Sequence, residues 1–412
     1  MSVGPSGPPT PTAVMAPVRP RPRHRHSRGR IDMILDFETL KFVWWLLVGV
    51  LFIGFAVTDG MDMGVGTLLP FLGKNDSERR VIINTVGPHW DGNQVWLITA
   101  GGAIFAAWPL VYGAAFSGFY FAMLLALFAL FFRPVGFDYR SKIEHKAWRN
   151  AWDWGLFIGG AVPALVFSIA FGNLLHGVPF HLDELLRPYY TSSFFALLNP
   201  FALLAGLISL GMLTLHGAIW LQLRTAEPIA SRAKAWAKVT GLATIIGFAL
   251  AGIWLTFFVD GFRVVSMPPT DAVPNPLTKA VVIESGAWLA NYWNHPWTLL
   301  FPVMGFAGLG YAVSLSMQDR AGLGLVMSGV GITGVIMTAG AAMFPFIMPS
   351  STNPGSSLIA WDATSSHLTL TVMFWAAVIF IPIILAYTTW TYARMWRRIT
   401  VEEIESQDKL AY

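Results

Sequence analysis

The sequence predicts an all-α, polytopic integral membrane protein with nine transmembrane helices. Three observations lead there. Hydrophobic residues make up 55% of the 412 positions and charged residues 12%, about half the charged share of a soluble domain. The apolar residues fall into runs of about 20 or more, enough to span a bilayer core. Trp gathers at the ends of those runs (Trp44, Trp45, Trp108, Trp152, Trp154, Trp297, Trp390, Trp396), as an interfacial belt requires. The absence of Cys excludes disulfides, thiolate metal sites and Cys-held iron–sulfur clusters. A net charge of +4 does not point to nucleic acid, because membrane topology accounts for where the charges lie.

Taken in order, residues 1–32 are rich in Pro, Ser and Arg, with six Arg, and read as a disordered tail. Met33 offers a second start, which would leave that tail untranslated or a species-specific extension. The nine-helix domain then occupies 33–412. Its expected spans are 37–71, 80–108, 112–132, 154–170, 194–223, 235–259, 297–316, 323–346 and 367–390. The first and fifth exceed a bilayer and are expected to tilt or protrude.

The loops set the orientation. Lys74, Arg79 and Arg80 follow the first span, and Arg133, Arg140, Lys142, Lys146 and Arg149 follow the third. Arg224, Arg232, Lys234 and Lys238 lie between the fifth and sixth, Arg320 after the seventh, and Arg394, Arg397 and Arg398 after the ninth. The alternate loops hold only Arg187, Arg263 and Lys279. The positive-inside rule puts the first set in the cytoplasm, so the C-terminus is inside and the start of the first helix outside. The six Arg of the tail would contradict that bias, and a start at Met33 removes the conflict. The only sizeable external loop is 260–295.

The chemistry concentrates in two stretches. The first span carries Asp59 and Asp62 in Thr-Asp-Gly-Met-Asp-Met-Gly, a spacing that puts both carboxylates on one helix face. At ~1.5 Å per residue Asp59 lies roughly 25 Å from the outer end of its helix, towards the cytoplasmic side. The second stretch is Pro-His-Trp-Asp-Gly-Asn-Gln, with His89 and Asp91, set in what otherwise reads as a buried helix. Pro88 frees a carbonyl one turn back. By the same rise Asp91 stands roughly 20 Å in from the cytoplasmic side. Acids in apolar helices are costly and tend to be functional; the three would form a ladder for proton uptake, or else a structural polar group or cation trap. His89 is expected to bond to Asp91. His89, His216 and His367 each invite a haem-ligand reading, but no pair makes a bis-histidine arrangement, and packing is the simpler role for His216. Asp362 and Ser365 read as caps for the last span. Arg133 reads as a phosphate-level arginine at a cytoplasmic exit, with Arg133 and Arg140 able to hold a partner subunit.

Four motifs carry a resemblance: Gly-Phe-Ala-Val-Thr-Asp-Gly-Met-Asp-Met-Gly, Pro-His-Trp-Asp-Gly-Asn-Gln-Val-Trp-Leu-Ile-Thr-Ala-Gly-Gly-Ala, Leu-Phe-Phe-Arg-Pro-Val-Gly-Phe-Asp-Tyr-Arg and Met-Phe-Pro-Phe-Ile-Met-Pro-Ser-Ser. From about Met33 onward the chain resembles subunit II of the cytochrome bd-type quinol oxidases. That resemblance implies a bacterial inner-membrane subunit of an aerobic, proton-motive oxidase that reduces dioxygen to water with electrons from ubiquinol or menaquinol. It implies two four-helix bundles plus a peripheral helix, and a heterodimer with a haem-bearing subunit I that holds two haems b and one haem d, this chain ligating none. Small single-helix accessory subunits and bound lipid or quinone are left open. The resemblance gives Asp91, with Asp59 and Asp62, to a cytoplasmic proton route, and Trp96 to an apolar oxygen entry. Trp90 and His89 are expected at that route or at the subunit seam. Two other classes compete: a proton-coupled transporter, disfavoured because no inverted repeat is visible, and a scaffold whose acids serve only assembly.

Overall fold

The computed structural model describes Gly4 and residues 35–406; the tail expected over residues 1–32 lies, Gly4 apart, outside the described residues. The helices are α1 (Phe37–Leu72), α2 (Asp76–Asn84), α3 (Trp90–Ala107), α4 (Pro109–Gly118), α5 (Tyr120–Leu130), α6 (Phe132–Tyr139) and α7 (Lys146–His176). They continue as α8 (Pro200–Arg224), α9 (Ile229–Phe258), α10 (Ala290–Asn294), α11 (Leu300–Met317), α12 (Ala321–Met343), α13 (His367–Met395) and α14 (Val401–Ser406). Among the described residues eight helices are long and apolar enough to cross a membrane, and nine when the bent pair α3–α4 counts as one span.

Three expected spans differ in form. The helix expected over 80–108 is not continuous. α2 stops at Asn84, a run of turns holds Pro88, and the membrane helix begins only at Trp90. Pro88 has no N–H to continue a ladder; His89 N donates instead to Val86 O at 3.0 Å. At Trp108 the backbone leaves the helical region, Pro109 opens α4, and the chain turns by 120°, so the third crossing starts at Tyr120 rather than at 112. The fifth begins at Pro200, behind a 3₁₀ turn over Phe194–Leu198 and a capping Asn199.

The chain packs as two four-helix bundles, α1, α3, α5 and α7 against α8, α9, α11 and α12, with α13 outside them touching α1 and α3. Between apolar helices in lipid the drive to associate comes from close packing, which small residues allow. α1 and α8 cross at Gly64 and Gly217, where a Cβ on Gly217 would stand 2.5 Å from Gly64 carbonyl carbon. α13 buries only Leu370, so most of it is left facing outward from this chain.

One end of the domain, here the α2 end, is tied by ions. Asp153 accepts from Arg140 Nε at 2.5 Å and Arg79 at 2.7 Å; Asp76 pairs with Arg140 at 2.9 Å and Arg149 at 2.5 Å. Glu78 holds Arg232 of α9 at 2.7 Å, and α14 rests on α2, with Ser77 donating to Glu405 at 2.8 Å. The other end carries three antiparallel hairpins: β1 (Phe180–Leu182) with β2 (Pro188–Tyr190), β3 (Asp260–Ser266) with β4 (Ala280–Ser285), and β5 (Phe346–Met348) with β6 (Leu358–Ile359). The fully buried Lys41 of α1 fastens the 260–295 loop, donating to Thr270 O and Trp361 O, both at 2.7 Å. Asp362 does not cap the last helix. It pairs with Lys279 at 2.7 Å and accepts from Ile359 N at 3.1 Å, while Ser366 takes the cap, accepting from Thr369 N at 3.2 Å. Ser365 bonds instead to Ala106 O of α3.

Candidate functional site: a buried carboxyl–guanidinium cluster

The cluster lies where α1, α3 and α6 meet, ten residues short of the α2 end of α1 for Asp62, or about 15 Å deep. Asp59 is fully buried and takes both arms of Arg133, at 2.8 Å from Nη1 and 2.5 Å from Nη2. A buried charge is tolerated when paired and hydrogen-bonded, and the two-armed contact is the strong form of that pairing. Arg133 reaches this place because α5 and α6 carry it down α7: its Cγ sits where a Cβ on Gly159 would come within 2.8 Å. The guanidinium also stands 5.6 Å from the Trp90 ring. Arg133 is therefore a bundle residue and not a phosphate-level or partner-holding one.

Asp62, also buried, is less well provided. Its Oδ2 accepts from Asn93 Nδ2 at 2.8 Å and lies 3.8 Å from Arg133 Nη2. Its Oδ1 has no hydrogen-bond partner among the described residues, and His89 Nδ1 is 3.8 Å away. A void of about 10 Å³, lined by Asp62, Arg133 and apolar residues of α2 and α7, lies beside it, roughly the room one water needs. Asn93 then links outward, its Oδ1 accepting from Tyr392 of α13 at 2.8 Å. Asp62, Asn93 and Tyr392 thus form one hydrogen-bonded chain across three helices. With both acids ionised, two carboxylates face a single guanidinium.

The expected acid ladder is only partly assembled. Asp59 and Asp62 come together, but Asp91 does not join them. It is exposed on the outer face of α3, in line with the exposed Val95, Ile98 and Phe105, and makes no hydrogen bond or ion pair among the described residues. The helix break explains this. Because α3 begins at Trp90, Asp91 falls in its first turn facing out and Asn93, two residues on, faces in. His89 does not bond to Asp91 either: it sits against Thr85 O through Nε2 at 3.0 Å and against Asn93 through Nδ1 at 3.1 Å. Trp90 packs inward on Phe137, ring centres 5.4 Å apart. Trp96 is half-buried on Gly54 of α1, where a Cβ would be 2.6 Å from its ring. The void beside Asp62 does not reach it.

The three histidines that invite a haem-ligand reading are each engaged among the described residues. His89 uses both ring nitrogens as above, and His216 spends its own on Ser328 Oγ at 2.5 Å and Val57 O at 2.9 Å. His367 bonds Leu35 O at 3.0 Å and stacks on Phe37. Among the described residues no group of His, Asp or Glu is arranged to hold a metal ion. Sequence reasoning missed Arg133, Asn93 and Tyr392 as members of the cluster. One signal was available: two acids buried in one helix call for a cation, and Arg133 is the one basic residue immediately following an apolar run without a polar break.

Known proteins agree with this architecture. The sequence model of the family described as cytochrome bd terminal oxidase subunit II matches residues 40–395. Over 379 residues the chain is 58% identical to the cytochrome bd-I ubiquinol oxidase subunit 2 of Escherichia coli (strain K12), covering 92% of this chain and 100% of that one. It is 30% identical over 368 residues to the cytochrome bd ubiquinol oxidase subunit 2 of Bacillus subtilis (strain 168), covering 89% and 98%. In fold it is similar to a chain of the bd oxidase from Geobacillus thermodenitrificans, with a TM-score of 0.63 at 14% identity over 87% of this chain and 98% of that one. The chain belongs to the family of cytochrome bd terminal oxidase subunit II.

Proposed function

We propose that this subunit serves a quinol oxidase by bracing a haem-bearing subunit I and by carrying protons toward it from the cytoplasm. In this reading the partner holds the two haems b and the haem d, ubiquinol or menaquinol supplies the electrons, and dioxygen is reduced to water. The α2 end, rich in Lys and Arg, faces the cytoplasm of a bacterial inner membrane. The observation that carries the proton role is the unequal treatment of the two buried acids. Asp59 is locked by both arms of Arg133, whereas Asp62 has an oxygen without a partner beside a water-sized void. One proton on Asp62 balances the charge of the cluster, and its loss is accommodated by Asn93 and Arg133. Asp62 therefore exchanges the proton, Asp59 with Arg133 holds the field constant, and Asp91 on the outer face of α3 hands protons to the partner subunit. An oxygen route along Trp96 is the less supported part, since Trp96 packs against α1.

The test is oxidase turnover of the purified complex carrying Asp91→Asn, an isosteric change at an exposed position that leaves the buried cluster intact. Slower quinol oxidation with normal haem content is expected. Unchanged turnover and unchanged proton uptake would remove Asp91 from the route, and loss of haem with loss of the complex would favour the scaffold role.

A further inference from the structure

His89 is a buried titratable side chain to which the proton route gives no task. It stands at the N-cap position of α3 and is 8% exposed. Its neighbours fix where its own hydrogen lies. Asn93 Nδ2 serves both Asp62 Oδ2 at 2.8 Å and His89 Nδ1 at 3.1 Å, while Asn93 Oδ1 accepts from Tyr392 at 2.8 Å. An amide nitrogen donates, so His89 Nδ1 is the acceptor and carries no hydrogen. The ring is therefore the tautomer with its hydrogen on Nε2, which donates to Thr85 O at 3.0 Å.

The same amide fixes the proton of Asp62. Oδ2 accepts from Asn93, so the proton of the neutral acid belongs on Oδ1, the oxygen with no hydrogen-bond partner among the described residues. That oxygen lies 3.8 Å from His89 Nδ1. A closure of about 1 Å makes a hydrogen bond, and contacts of this kind are often long at rest and tighten when a proton moves. The imidazole is confined for that closure by two rings, Trp220 edge-on at 5.7 Å and Tyr392 tilted at 4.9 Å.

We propose that His89 accepts the proton of Asp62, a step that rests on the proton role given to Asp62 above. The Oδ1–H bond of Asp62 breaks as an N–H bond forms at His89 Nδ1. A neutral acid and a neutral imidazole become a carboxylate and an imidazolium; one proton moves and no electron does. The imidazolium keeps Nε2–H on Thr85 O and turns Nδ1–H to the carboxylate, while Asn93 stays on Oδ2. Two guanidiniums oppose the positive ring: Arg133, 3.8 Å from Asp62, and Arg224, 4.9 Å from the Trp220 ring on its far side. The Asp62 carboxylate favours it, and Asp59 is already matched by both arms of Arg133. So opposed, His89 is a station for the proton and not its resting place. The transfer carries the proton from α1 to the start of α3, the helix whose first turn presents Asp91 outward.

The experiment follows proton uptake by the purified oxidase complex during a single turnover with dioxygen, in wild type, His89→Gln, Asp62→Asn and the double variant. His89→Gln should keep full haem content and slow the uptake phase by at least about 10-fold. The double variant should be no slower than Asp62→Asn, because the two groups serve successive steps of one path. An unslowed His89→Gln beside a slowed Asp62→Asn overturns the proposal and leaves the role of Asp62 standing; an unslowed Asp62→Asn removes that role itself. Slowing that multiplies in the double variant also overturns the proposal, since His89 would then act through structure alone. Should His89→Gln fail to assemble, wild type carrying ring-15N histidine decides by time-resolved infrared spectroscopy. A label-sensitive imidazolium band rising with the uptake phase and lost in Asp62→Asn is expected, and its absence from wild type overturns the proposal.

Discussion

Replacing Arg133 with Gln is the sharpest perturbation of the bundle interior. Arg133 and Asp59 side chains are 3% and 0% exposed and share two charge-assisted bonds of 2.8 and 2.5 Å. Gln cannot span both carboxylate oxygens, so the change leaves Asp59 buried and uncompensated, with Asp62 deprived of the guanidinium 3.8 Å from it. Removing one partner of a buried pair costs about 3–5 kcal/mol. At about 2 °C per kcal/mol for a large domain, the solubilised complex should melt about 6–10 °C lower. Adding Asp59→Asn to Arg133→Gln removes the stranded charge and should recover a good part of that loss, a coupling of about 1–3 kcal/mol. Thermal melting of the four variants followed by intrinsic Trp fluorescence measures the cycle. If Arg133→Gln melts within about 1 °C of wild type, or the double variant is no better than the single, the pair does not carry the weight assigned to it here.

Other expectations follow from the same geometry. Gly217→Leu forces a side chain into the α1 backbone, where a Cβ alone already stands 2.5 Å from Gly64; membrane-inserted protein should fall to a small fraction of wild type by immunoblot. Lys41→Met removes the bonds to Thr270 O and Trp361 O, and limited proteolysis should then cut the 260–295 loop faster at the same protease dose. The hydrogen bond from Arg232 holds the Glu78 carboxyl below its ordinary value of 4.5, helped by the backbone N–H of Lys74 and opposed by burial. A carboxyl lowered on folding contributes stability that is present above the unfolded value and lost as pH falls through the folded one. Melting of the complex should therefore decline below about pH 4.5, and Glu78→Gln should flatten that decline; an unchanged slope would refute the assignment. A reduced-minus-oxidised spectrum of the tagged chain should show haem bands with its partner present and none when it is expressed alone, whereas haem on the isolated chain would return His89 or His216 to the ligand role.

Length and hydropathy made the spans legible, because a bilayer demands long apolar runs whatever their packing. The breaks were harder. Pro88 was visible, yet its effect, starting α3 at Trp90 and so turning Asp91 outward and Asn93 inward, depends on the rotational phase of a helix whose start the apolar pattern does not mark. A span boundary was expected near Trp108, but not that Pro109 would open a separate helix bent by 120° from α3, so that the next crossing starts only at Tyr120. Asp59 and Asp62 were found from spacing alone. Their partners were not: Arg133 and Tyr392 lie 74 and 330 residues away from Asp59 and Asp62, and only helix packing brings them in. Asp362 looked like a cap because it precedes a helix, but burial beside Lys279 gave it an ion-pair role, and Ser366 sits at the position whose geometry accepts from Thr369.

The most direct measurement of the proton role is time-resolved proton uptake by the purified oxidase complex during a single turnover with dioxygen, compared between Asp62→Asn and wild type. The account predicts that Asp62→Asn assembles with full haem content and slows the uptake phase by at least about 10-fold, the scale of a lost proton-transfer group. Full haem content with an unslowed uptake phase would contradict it, and Asp62 would then be a structural acid like Asp59.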